Sequence, residues 1–153
     1  MTFEEELERS GKLVYTNKGV SMMPLLRENK DIMIIEKCAA ADVKRLDAVL
    51  FTRKSPEKTN YVLHRVLKVN RDESFWIVGD NCVSGEQVRG EQILGKLTEV
   101  IRDGKRIGAD SAAYRVYAHI WCDAYPVRFF FLRARNFAKR CLRYVKRRLK
   151  HEK

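Results

Sequence analysis

The chain of 153 residues is long enough for one hydrophobic core and too short for two substantial ones. With 45% hydrophobic and 33% charged residues and no uninterrupted apolar run of about 18, it reads as a globular protein without a membrane-spanning helix. The net charge of +11 is concentrated: Pro126–Lys153 holds eleven Lys or Arg against one acid, whereas residues 1–125 hold 20 bases and 19 acids.

Thr2 followed by Glu5 predicts a capping box that opens a short helix through Arg9, with Gly11 as its stop. Leu13–Thr16 is a short strand, and Gly19-Val20-Ser21-Met22-Met23-Pro24-Leu25 follows as a stiff turn, because proline restricts both itself and its predecessor. Further strands are predicted at Asp31–Glu36, Asp47–Arg53, Tyr61–Val69, Phe75–Val78 and Ile93–Ile101. Turns fall at Asn70-Arg71-Asp72, Gly79-Asp80-Asn81 and Asp103-Gly104, and a polar loop surrounds Pro56. Six strands without intervening helices predict a mainly β, antiparallel body over residues 1–110. From Ser111 the pattern turns helical, first to Ala124 and again from Pro126, giving a basic helical extension over residues 111–153.

The four cysteines form no Cys-x-x-Cys pair and the three histidines are not spaced as zinc ligands, so no metal or cofactor is expected. Reduced thiols are the default, Cys82 included. The acidic N-terminus lacks the layout of a secretory signal, which predicts a cytoplasmic protein. A serine hydroxyl on a stiff turn can act as a nucleophile if a base lies within reach and a further group orients that base. Beside a proline, a serine is commonly just a turn residue. His64 is the one histidine in the β body, and strand alternation turns its neighbour Arg65 to the opposite face. A lone strand histidine is often structural. The acids that could orient it are Asp80, in Gly79-Asp80-Asn81, and Glu86, placed further along the same loop.

In order along the chain, Gly19–Leu25, a strand opening at Asp31, Tyr61-Val62-Leu63-His64-Arg65-Val66 and Val78-Gly79-Asp80-Asn81 resemble the boxes of the signal peptidase family. The fold is shared with LexA-type self-cleaving repressors, and the resemblance runs from Leu13 to Ile101. It implies an antiparallel coiled-sheet catalytic fold and a serine endopeptidase in which Ser21 attacks the peptide carbonyl and His64 moves its proton. Most bacterial members carry lysine at the base position. Histidine there is similar to the endoplasmic-reticulum and archaeal type, and its ordinary pKa near 6.5 suits base chemistry at neutral pH. In the histidine subtype the orienting aspartate lies a few residues beyond Gly-Asp-Asn, where this chain has Glu86, whose extra methylene requires the loop to retreat. Asp80 is the first candidate for a role in the site and Glu86 the second. The family also implies the Ser21 amide as an oxyanion donor and small residues before the scissile bond. Gly19 stands where some relatives add a serine hydroxyl.

The chain departs from typical signal peptidases in lacking an N-terminal transmembrane helix. Phe130, Ala134, Phe137, Ala138, Cys141, Val145 and Leu149 share one helical face, bordered by Arg and Lys. Such a helix suits an anionic membrane surface, at the cytoplasmic face, or packs its stripe on the body. The substrate expected is a leader-bearing peptide or protein. A LexA-like self-cleaving regulator is the alternative within the fold, with only about 12 residues before the first strand for a DNA-binding helix-turn-helix. A nucleic-acid-binding module using the basic tail is the alternative outside it, though no aromatic-rich strand motif for RNA stacking is visible.

Overall fold

The computed structural model describes residues 2–54 and 59–151, with side chains as far as Arg143 apart from Lys54. The polar loop at Pro56 and the side chains of Val145 and Leu149 lie outside the described residues. Helix α1 spans Phe3–Ser10, opened by the reciprocal Thr2–Glu5 capping box and closed by Gly11, whose φ of 71° is the left-handed conformation glycine adopts freely. Eight strands follow among the described residues: β1 (Lys12–Thr16), β2 (Ile32–Lys37), β3 (Ala48–Lys54), β4 (Thr59–Val69), β5 (Ser74–Val78), β6 (Gly85–Arg89), β7 (Ile93–Arg102) and β8 (Lys105–Gly108). They form one antiparallel sheet in the order β1-β2-β7-β3-β4-β5-β6, with β8 paired to β7.

The six expected strands are present, and β6 and β8 are additions. Glu86 therefore lies on a strand and not in a loop, paired opposite Ile77 of β5. Strand β8 is reached through a tight turn in which Asp103 and Gly104 both take positive φ. Helices α2 (Ala112–Asp123) and α3 (Tyr125–His151) follow, the first capped by the Ser111 side chain.

Alternation along β4 divides the interior into two cores. Leu63 joins Leu7, Leu13, Ile35, Leu50 and Leu97 on the side covered by α1 and α2, with Tyr114 and Ala118 of α2 buried in the same cluster. Val66 joins Val49, Phe51, Phe75, Ile77 and Val88 on the other. In α3, Leu132 is buried, whereas Phe130, Ala134, Phe137, Ala138 and Cys141 are exposed. The stripe expected from the sequence is thus not the face that α3 lays on the body.

Residues 17–31 connect the paired strands β1 and β2 and carry the Ser21 turn. Met22 and Leu26 sink into the first core and pin the loop from below. Its neck is closed by Asn17 N–H to Asp31 O (3.1 Å) and Asn29 N–H to Asn17 O (2.7 Å). Asp31, at the foot of β2, is a buried carboxylate. It accepts from the Arg27 backbone and Nε (both 2.9 Å) and from Arg102 Nε and Nη2 (3.0 and 2.6 Å). Arg102 also donates to Leu25 O at 2.7 Å, tying β7 to the loop. Burial alone would raise the Asp31 pKa, but Arg102 and Arg27 outweigh it and hold the carboxyl down at about 2. A carboxyl depressed in the folded state stabilises fully above its ordinary value near 4 and loses that contribution as pH falls toward 2. Asp31→Asn is expected to cost about 2 kcal/mol at neutral pH and to flatten the stability profile between about pH 4 and 2, measured by urea unfolding across that range.

Candidate active site

His64 sits mid-β4, opposite Val49 of β3 and close to the Phe51 ring, so its imidazole is nearly enclosed. Its next neighbour Arg65 pairs with Val78, the last residue of β5. The Gly79-Asp80-Asn81 loop therefore leaves the sheet directly beside the His64-Arg65 pair. That register explains how two adjacent strand residues with opposite facings both meet one loop.

Asp80 meets Arg65. The pair is bidentate, Nε to Oδ1 at 2.9 Å and Nη2 to Oδ2 at 2.8 Å, with both side chains only 1% exposed. Arg65 also donates to Leu46 O (2.8 Å) and lies over the rings of Tyr114 and Tyr117. The Tyr117 hydroxyl donates to Asp80 Oδ2 at 2.9 Å, and burial together with the Asp80 charge keeps that phenol protonated far above its ordinary range. The Asp80 carbonyl accepts from Trp121 Nε1 (2.8 Å) and Arg128 Nη1 (3.0 Å). Both carboxylate oxygens are committed to this cage, and no hydrogen bond joins Asp80 to His64.

Glu86 is the acid at the histidine. Its Oε1 lies 3.5 Å from His64 Nδ1, and its carboxylate is also held by both prongs of the Arg53 guanidinium. The other ring nitrogen looks the opposite way. A side chain built on Gly79 would meet Cys82 Sγ at 2.7 Å, Ser21 O at 2.8 Å and His64 Nε2 at 2.9 Å. Gly79 is therefore the point where the Ser21 backbone, the histidine and Cys82 converge, and only a residue without Cβ permits it. Asn81 secures the approach, donating from its amide to Ser21 O (2.7 Å) and from Nδ2 to Val20 O (3.0 Å).

Ser21, His64 and Glu86 line one open cleft of about 560 Å³ with Arg53, Tyr61 and Cys82. A larger depression of about 940 Å³, near Ala40, Asn70 and Arg89, contains none of the three. Ser21 is half-buried, and its hydroxyl is hydrogen-bonded to no described residue. Burial, the largest influence, lowers the His64 pKa; Glu86 raises it and Arg53 lowers it, for a net shift below 6.5. The shift favours the neutral imidazole, whose unprotonated nitrogen carries a lone pair. Burial pushes the Cys82 thiol up, which suppresses the thiolate. Gly19 has open space where a side chain would stand.

All four residues singled out in the sequence lie at or beside this site, with divided roles. Ser21, His64 and Glu86 share the cleft, while Asp80 supports its wall. Arg53, Asn81 and the packing role of Gly79 were not legible in sequence, and neither was the cage of Tyr117, Trp121 and Arg128. No family model matches the sequence, and no curated protein does.

Asp80→Ala strands the Arg65 guanidinium in the interior and is expected to destabilise the protein by about 3–5 kcal/mol in urea unfolding. A loss below about 1 kcal/mol would show that the pair does not hold the loop.

Proposed function

We propose that this protein is a serine endopeptidase of the signal-peptidase-like class, with Ser21 as nucleophile, His64 as general base and acid, and Glu86 as the group that orients the ring. The observation that carries the reading is the division of the imidazole: Nδ1 toward the Glu86 carboxylate, Nε2 toward Gly79 and the Ser21 backbone. A general base needs that polarity, one nitrogen held by an acceptor and the other left to receive a proton. The ordered boxes around Ser21, His64 and Gly79-Asp80-Asn81, and the antiparallel sheet on which they lie, support the class.

In the reaction the Ser21 hydroxyl turns onto His64 Nε2, and Oγ attacks the substrate carbonyl carbon as the proton passes to the ring. Glu86 stabilises the imidazolium through Nδ1–H. The oxyanion of the tetrahedral intermediate is taken by the Ser21 amide. His64 then protonates the leaving amine, and water activated by the same nitrogen releases the acyl group. The open cleft fits an extended peptide, with small residues before the scissile bond.

Ser21→Ala and His64→Ala are each expected to lower peptide cleavage by about a thousandfold or more with unchanged circular dichroism, whereas Cys82→Ala retains activity. Full activity in Ser21→Ala with loss in Cys82→Ala would transfer the nucleophile to the thiol. Because the His64 pKa is depressed, kcat/KM should climb through an acidic limb centred below pH 6.5. Glu86→Gln removes a charge that favours imidazolium and should move that limb to still lower pH. Gly79→Ala pushes the Ser21 loop off His64 and should cost about 10- to 100-fold in kcat/KM, since displacement by about an ångström is enough to misalign the pair.

A further inference from the structure

Helix α3 presents its apolar face to the outside. The side chains that turn toward the body recur at Tyr125, Arg128, Phe129, Leu132 and Asn136, the spacing of one helical face. On the opposite side Val127 (59% exposed), Phe130 (69%), Phe131 (66%), Phe137 (68%) and Leu142 (63%) stand free, with Ala134 and Ala138 between them. At 100° and 1.5 Å per residue these positions fill an arc of about 140° along about 22 Å of helix. A contiguous apolar stripe rimmed by charged residues marks an interaction surface.

The borders of the stripe identify the partner. Arg133 and Arg140 flank it on one side, Arg135 and Lys139 on the other, and no acid occurs between Tyr125 and His151. Two copies pairing through this face would bring their arginine borders together, which like-charge repulsion opposes. Nucleic acid would draw on the charge and leave a continuous row of phenylalanines unused. A lipid bilayer uses both: acyl chains receive the apolar arc, and anionic headgroups meet the cations at the depth where such side chains emerge.

The helix is held in this orientation from behind. Leu132 is buried against the body, Arg128 donates to Asp80 O, and Arg135 donates to Asn81 Oδ1 at 2.9 Å. The apolar surface also continues onto the nucleophile loop, where exposed Val20 and Met23 share a cleft of about 560 Å³ with Phe131 and Leu132. None of the described helices is long and apolar enough to cross a membrane.

We infer that α3 is an in-plane membrane-docking helix that seats the protein on an anionic bilayer with its Ser21 loop at the lipid surface. This rests on the exposed face and its charge borders, independently of the peptidase chemistry. The test is co-sedimentation of the full chain with vesicles of phosphatidylcholine alone and of phosphatidylcholine containing phosphatidylglycerol. The protein should bind the anionic vesicles, bind neutral ones weakly, and be released as salt rises. The double variant Phe130→Ser/Phe137→Ser should lose about tenfold or more in vesicle affinity while keeping its melting temperature and its cleavage of soluble peptides. Failure of the wild type to bind anionic vesicles would overturn the inference, and so would equal binding by the variant. A concentration-dependent dimer, or tight RNA binding, that the same variant abolishes would assign the face to those partners instead.

Discussion

The buried ion pair between Arg65 and Asp80 is the interaction on which the rest of the arrangement depends. Arg65 leaves β4 on the face away from His64, into an interior where an unpaired guanidinium would be costly. Asp80 resolves that cost and in doing so fixes the backbone of Gly79 and Asn81 on either side of it. Gly79 then lies against His64 Nε2, and Asn81 reaches the carbonyls of Val20 and Ser21. One carboxylate thus sets the distance between a loop from the start of the chain and a histidine in the middle of the sheet. The Asp80 carbonyl, through Trp121 and Arg128, brings both C-terminal helices to the same point.

Two acids of similar type are separated by what surrounds them. Asp80 is enclosed with a permanent cation and two tyrosines and serves structure. Glu86 lines the cleft, shared between Arg53 and His64, where its carboxylate faces the ring. Arg53 also works against the imidazolium and adds to the effect of burial, while Glu86 works in its favour. Asp31, on the far side of the Ser21 loop, is a third case: two arginines hold it ionised so that it can clamp the loop to β2 and β7.

Much of the fold was legible because its strands are apolar and β-branched. Strands β6 and β8 escaped because Gly-Glu-Gln-Val-Arg and Lys-Arg-Ile-Gly show little alternation; their pairing with β5 and β7 makes them strands. The same gap left Glu86 in a loop that would have to retreat to admit its longer side chain, and so made Asp80 the first candidate. The parity of β4 held the decisive hint, since an Arg65 turned inward beside His64 needs a carboxylate of its own. The two C-terminal helices and their break at Pro126 were readable, but which face of α3 meets the body was not. Arg128 and Arg135 take partners on the Asp80-Asn81 loop, and this tertiary contact turns the phenylalanines outward.

The central claim is that Ser21 is the nucleophile and that its reactivity comes from His64. It is tested most directly by acid-quenching the protein during turnover of an activated peptide ester and locating the acyl group by peptide mass mapping. The account predicts a single acyl adduct on Ser21 that disappears when His64 is replaced by Ala. An adduct on Cys82, or one on Ser21 that persists without His64, would contradict it.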